Sequence, residues 1–262
     1  MNIKTPPEIA TQARDIGINK LYISRHQLPR LLTLSIFAGA FIALGALLSI
    51  VVGQGLPALS DCNPAIGKVA AGMVFPIGLL LIVTLGGELF TGNNALLMAP
   101  LINKDCSAWS VIYNWALVWI GNFIGALLIV AILVIGTGTL DAEPWHTASA
   151  NIATSKMALS WSQTFCRGIG ANWCVCLAVW LALSSRTLGA KALACWIPVS
   201  AFVILGWEHC IANMFFIPAG IYNGADIAIT DLILDNLVPA TLGNIVGGAM
   251  LVGLPFSILH RN

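Results

Sequence analysis

The run GWEHCIANMFFIP, residues 206–218, places a carboxylate and an imidazole inside an apolar stretch whose nearest flanking charges are Lys191 and Asp226. Its pattern recurs. GGELFTGN, residues 86–93, and GWEHCIAN, residues 206–213, both read G-x-E-x-x-x-x-N, and a proline follows each, at Pro100 and Pro218. A second pair, IGNFIGAL and LGNIVGGA, shares G-N-x-x-G, at Gly121, Asn122 and Gly125 and at Gly243, Asn244 and Gly247. Within each pair the copies lie about 120 residues apart. Two matches in one register mark an internal duplication.

Composition identifies the solvent. The chain is 58% hydrophobic and 9% charged, with a mean hydropathy of +0.88, whereas a soluble domain carries about 25% charged residues. A helix needs roughly 20 apolar residues to cross the hydrocarbon core. Six runs qualify: 31–53, 69–99, 106–136, 157–183, 192–218 and 236–259. A repeat of three spans ends on the side opposite its start, so the second copy is inverted. The expectation is an all-α membrane protein of six spans, two inverted three-helix repeats over about 31–140 and 157–260, after an N-terminal segment 1–30. In such architectures the substrate site lies near the midplane, where the copies meet.

Runs 69–99 and 192–218 exceed one straight crossing, and each carries its polar cluster beside glycine. Both helices, the second and the fifth, are therefore expected to be broken. A break frees backbone N–H and C=O groups, each costing several kcal/mol in lipid unless satisfied or lining a cavity. Glu88, Asn93, Glu208 and Asn213 are expected to brace the broken ends, the two carboxylates by accepting backbone N–H groups. The half-helix N-termini offer partial positive charge to an anion. The G-N-x-x-G faces are read as close-packing surfaces.

With six spans, one side holds Lys4, Arg14, Lys20, Arg25, Arg30, Lys104, Arg186, Lys191 and Arg261. The other has Lys68, Lys156 and Arg167, with Asp61, Asp141, Glu143, Asp226, Asp231 and Asp235. The positive-inside rule puts both termini in the cytoplasm. The first apolar run starts only at Leu31 and is too long for a signal peptide. A net charge of +1 without a basic tract gives no reason to expect a nucleic-acid partner. Cys62, Cys106, Cys166, Cys174, Cys176, Cys195 and Cys210 form no CxxC pair and read as packing residues. No metal or cofactor is expected.

His209 and Thr91 fall at matching breaks, two positions from strict equivalence. Across the midplane of an inverted pair, an imidazole and a hydroxyl could both donate to an oxyanion. Phe75, Leu79, Leu89, Phe90, Val175 and Phe202 lie near the breaks. Were they to converge, they would make a dry constriction, costly for an anion and far less so for a neutral acid. Lys156 is placed at the outer end of the fourth span, with Asn172 deep within it; Arg167 receives no role.

The stretches ELFTGN, NWCVCLAVWLA, GWEHCIANMFFIPAGI and DNLVPATLGNIVGGAMLVG resemble the formate/nitrite transporter family, from about residue 29 to 259. The resemblance implies an aquaporin-like protomer with broken second and fifth helices, and a homopentamer in a bacterial-type inner membrane with one pore per protomer. It implies that His209 and Thr91 contact the permeating anion. Lys156, Asn172, Glu208 and Asn213 match the surrounding polar network, and the six bulky residues match the constrictions. Residues 5–28 resemble the family's cytoplasmic interfacial helix, proposed in relatives to gate the pore. Substrates in the family are formate, nitrite, hydrosulfide and similar monovalent anions; DNLVPATLGN leans to formate and ANWCVCLAVW to nitrite. Formate is the first expectation, with the choice between channel and proton symport left open.

Two rival classes are weaker. A neutral-solute channel of the aquaporin type would carry Asn-Pro-Ala at each break, and this chain has none. A haem-binding oxidoreductase subunit would need paired deep histidines, but of His26, His146, His209 and His260 only His209 is deep.

Overall fold

The computed structural model describes residues 3–260; Arg261, one of the cations assigned to the cytoplasmic side, lies outside them, as does the side chain of Asp61. The described chain is built from ten principal helices in two sets of five. The first set comprises α1 (Pro6–His26), α2 (Leu28–Gln54), α3 (Ala65–Leu85), the short α4 (Phe90–Leu96) and α5 (Ala108–Ile135). The second comprises α6 (Trp145–Met157), α7 (Trp161–Ser184), α8 (Leu188–Ile204), α9 (Cys210–Tyr222) and α10 (Ile229–Leu259). Sequence punctuation sets several of the ends. Thr5 and Glu8 cap α1 reciprocally, as Ser160 and Gln163 cap α7.

The second and fifth apolar runs are broken, as expected. α3 stops at Gly86 and α8 stops short of Gly206, both glycines having positive φ (87° and 68°), a conformation that costs a residue with a Cβ. The chain then runs extended through Leu89 (φ −105°, ψ 123°) or His209 (φ −109°, ψ 113°) and re-enters as α4 or α9. The two breaks share one backbone path. Two boundaries shift from the sequence expectation. Lys156 does not cap the fourth span but ends the separate helix α6. The stretch 219–235 is largely helical, with only 223–228 between α9 and α10.

Glycine sets the distances between spans. A Cβ on Gly125 would coincide with the Ile36 carbonyl of α2, and one on Gly39 with the Asn122 backbone. In the other half, Gly243 and Gly247 of α10 lie as close to the Phe165 and Ile169 carbonyls of α7. Backbone cannot yield as a flexible side chain would. Gly125→Val and Gly247→Val are each expected to lower stability by about 3 kcal/mol through overpacking. Thermal unfolding in detergent checks this, and an unshifted midpoint would show that α2–α5 or α7–α10 can separate freely.

Both ends of the described chain lie on one face. Ala10 and Arg14 of α1 line a small cavity of about 60 Å³ together with His260, and Lys4 reaches the Leu183 carbonyl at the end of α7. Arg14 holds α1 down through paired hydrogen bonds to Asp105 (2.7 and 2.8 Å), which keep that carboxyl below the usual carboxylate range. This is the α1 face; α6 lies on the other.

Candidate functional site

Each break is tied off by one asparagine. Asn122 Oδ1 accepts the Phe90 N–H at 2.9 Å, while its amide donates to the Glu88 carbonyl (2.9 Å) and the Ser35 carbonyl (2.7 Å). Asn244 repeats the pattern: it accepts the Cys210 N–H at 2.9 Å and donates to the carbonyls of Glu208 (3.0 Å) and Gly168 (2.8 Å). Both asparagines have no exposed surface. The G-N-x-x-G motif is thus more than the packing face expected of it. Its glycines bring the helices together, and its asparagine satisfies backbone groups that lipid would leave bare.

The two glutamates differ from expectation in their partners. Instead of backbone N–H groups, they accept from a lysine and an asparagine. Glu88 meets Lys20 Nζ at 3.0 Å and Asn93 Nδ2 at 2.8 Å. Glu208 meets Lys156 Nζ at 3.0 Å and Asn213 Nδ2 at 2.6 Å. Beyond them, Asn93 donates to Asn114 (3.0 Å) and Asn213 to Asn236 (2.7 Å). Lys20, on α1, therefore occupies in the first half the place of Lys156 in the second. The correspondence of the halves extends to α1 and α6, beyond 31–140 and 157–260. A buried carboxylate stays charged only when paired and hydrogen-bonded, and the lysines meet that need.

Between the two breaks sit Thr91 and His209, no more than 2% exposed, with Thr91 Oγ1 and His209 Nε2 3.0 Å apart. His209 caps α9: its Nδ1 accepts the Ala212 N–H at 3.1 Å. A nitrogen that accepts carries no proton, so the neutral ring bears its hydrogen on Nε2 and donates it to Thr91. The threonine hydroxyl hydrogen is then free to donate. A second ring proton on Nδ1 would meet the Ala212 N–H, so this cap is one that the neutral ring makes.

A cavity approaches this pair from each face. On the α1 side, a cavity of about 340 Å³ runs past Lys20, Glu88 and Asn93 to Leu79 and Leu89. On the α6 side, one of about 210 Å³ runs past Lys156 and Asn213 to Phe75, Phe202 and His209. Phe75 and Phe202 meet edge to face, with ring centroids 5.7 Å apart, and Phe202 stacks on His209 at 5.8 Å. Phe90 and Val175 are buried with them. Phe90 also packs on Trp115 (6.3 Å), behind which an apolar groove opens between α5 and α10. Asn172 braces backbone, donating to the carbonyls of Thr91 (3.1 Å) and Asn244 (2.6 Å).

Sequence reasoning missed Lys20, Asn114 and Asn236, and misread Asn122 and Asn244. One signal was present. Asn114 and Asn122 are eight residues apart, as are Asn236 and Asn244, so NWALVWIGN and NLVPATLGN share N-x₇-N in the register of the duplication. Lys20 had no such marker, because its offset from Lys156 is 136 residues, not about 120.

Comparison with known proteins agrees with this architecture. The family model for formate/nitrite transporters matches residues 7–258. The chain is 38% identical to a probable formate transporter of Methanothermobacter thermautotrophicus, over 96% of this chain and 95% of that protein. It is also 38% identical to the formate channel BtFdhC of Bacillus thuringiensis, over 100% and 97% of the respective chains. A solved pentameric formate channel with formate bound superposes with a TM-score of 0.79 at 31% identity, covering 90% of this chain and 98% of that one. A duplicated, twice-broken helical bundle matched along nearly its whole length to channels and transporters, not enzymes, belongs to the formate/nitrite transporter family.

Proposed function

We propose that this protein is a channel for small monovalent anions, formate first, with nitrite and hydrosulfide as alternatives, and that the anion crosses at Thr91 and His209. The observation that carries the reading is the buried hydroxyl–imidazole bridge, which lies between a cavity that reaches His209 from the α6 side and one that ends at Leu79 and Leu89 on the α1 side. The pair is no more than 2% exposed, so an anion beside it needs donors in place of its hydration shell. The Thr91 O–H and the His209 Nε2–H are the two groups positioned to supply them. A neutral imidazole donates a hydrogen bond but cannot give up its only ring proton, so any proton that travels with the anion comes from solvent. Lys20 and Lys156 draw anions inward, and Glu88 and Glu208 hold the lysines at the cavity walls.

The same reading places the protein in the inner membrane with the α1 face in the cytoplasm, as its excess of Lys and Arg favours. It makes the assembly a homopentamer with one pore per protomer, the state named for the formate-bound relative. The tie between Lys20 of α1 and Glu88 supports a gating role for that helix. Purified protein in liposomes, assayed with labelled formate, nitrite and hydrosulfide, tests the function. Saturable formate flux exceeding that of the other two is expected; no flux of any of them would overturn the reading.

A further inference from the structure

Three cations break the positive-inside pattern: Lys68, Lys156 and Arg167. The fold gathers all three around a single vestibule on the α6 face, a cavity of about 590 Å³ that Glu143 and Glu208 also border. Much of the remaining charge on that side of the chain is acidic, at Asp141, Asp226, Asp231 and Asp235. Placing cations on the side the rule disfavours, and all at one opening, calls for a reason.

Two of the three are uncommitted. Lys156 is held by Glu208 at 3.0 Å. Glu143 takes the Thr147 hydroxyl at 2.6 Å and lies 3.9 Å from His146. The ion pairs among the described residues are Arg14–Asp105, Lys20–Glu88, His146–Glu143 and Lys156–Glu208. Neither Lys68 nor the half-buried Arg167 belongs to one. Lys68 also lines the inner cavity that ends at Phe75, Phe202 and His209, so the vestibule leads directly to the constriction. The α1-side cavity has a single cation outside any ion pair, Arg30, which donates to Gln27 at 2.9 Å, while Lys20 is bound to Glu88.

We propose that Lys68 and Arg167 form an anion-capture site in the α6-face vestibule, selective for small oxyanions and above all carboxylates. The guanidinium presents a planar fork that matches a carboxylate, and the ammonium adds a mobile point charge. Three cations against two carboxylates leave the vestibule with an excess of positive charge, and such an excess in a cleft concentrates the opposite ion. The anion then passes to Lys156 and enters between Phe75 and Phe202. The site raises the rate of entry from this face and leaves the crossing step at Thr91 and His209 untouched.

This rests on the anion-channel reading, so its test includes a measurement that needs no transport. In oriented liposomes, the Lys68→Gln/Arg167→Gln double variant should raise KM for formate entering from the α6 face about fivefold to tenfold. Maximal flux, and KM from the α1 face, should not change. Arg167→Lys alongside native Lys68 should recover most of the affinity, and the difference should fade at high ionic strength set with gluconate. In nanodiscs, wild-type protein should broaden the resonance of ¹³C-formate and the double variant should do so far less. An unchanged KM with unchanged broadening would overturn the capture site. Broadening lost on substitution, in a protein that transports no anion, would retain the capture site and overturn the channel reading.

Discussion

Asn244→Leu is expected to prevent recovery of a stable protein, and Asn122→Leu to do the same from the other half. Leucine keeps the branched heavy-atom skeleton of asparagine and leaves no cavity, so the main loss is polar. The loss lies in three backbone groups. In the Asn244 variant the Cys210 N–H loses its acceptor, and the Glu208 and Gly168 carbonyls lose their donor. Each buried group left unsatisfied costs about 1–3 kcal/mol, so the sum is on the order of 5 kcal/mol, comparable with the whole stability of many domains. Asn244→Asp should be no better, because the carboxylate keeps the acceptor but turns lone pairs and charge toward two carbonyls. Detergent-solubilised yield and thermal unfolding read the effect. A wild-type midpoint for Asn244→Leu would mean that the break does not depend on this amide.

Substitutions at His209 should separate two jobs that one ring performs. Nδ1 caps α9 and Nε2 faces Thr91. Asparagine at this position can cap but does not reach Thr91, whereas glutamine can carry an N–H toward Thr91 and caps poorly. His209→Asn should therefore fold with near wild-type stability while formate flux falls about 10- to 100-fold, the loss of one hydrogen bond to a charged solute. His209→Gln should keep flux within about tenfold and lose about 1 kcal/mol of stability with its cap. His209→Phe, which has neither group, should lose flux most. Because the ring that makes this cap is the neutral one, the pH profile of formate flux should keep its shape in His209→Gln. Flux equal to wild type in His209→Asn and His209→Phe would remove the ring from the permeation path. A profile that flattens in His209→Gln would mean that the imidazole itself titrates during transport.

The breaks were legible because their cause is local. Gly86 and Gly206 stop a helix wherever they occur in this conformation, and a Glu and an Asn at fixed spacing put costly polar groups inside lipid-length apolar runs, where only a sheltered break accommodates them. The asparagines that hold the breaks were harder to read. Asn122 lies 32 residues from Phe90 and Asn244 lies 34 from Cys210, and nothing along the chain says that a packing motif on one span ends a helix on another. Lys20 was the least legible. It lies on a helix of ordinary polarity outside the apolar runs, and only the docking of α1 against the bundle brings its ammonium to Glu88. Only the family resemblance assigned the six bulky residues to constrictions. The structure brings Phe75 and Phe202 together at the α6-side entrance but gives Phe90 a second surface, against Trp115.

By itself, the sequence determined the solvent, the duplication and the places where helices must stop. These depend on apolar length and on backbone freedom, which are properties of contiguous residues. Tertiary structure alone decided which distant amide closes each break, which lysine pairs with each buried glutamate, and which imidazole nitrogen faces Thr91. Those are matters of distance between atoms far apart in the chain. A hydrogen bond or an ion pair forms within about 3 Å, and only the folded inverted pair sets separations that small.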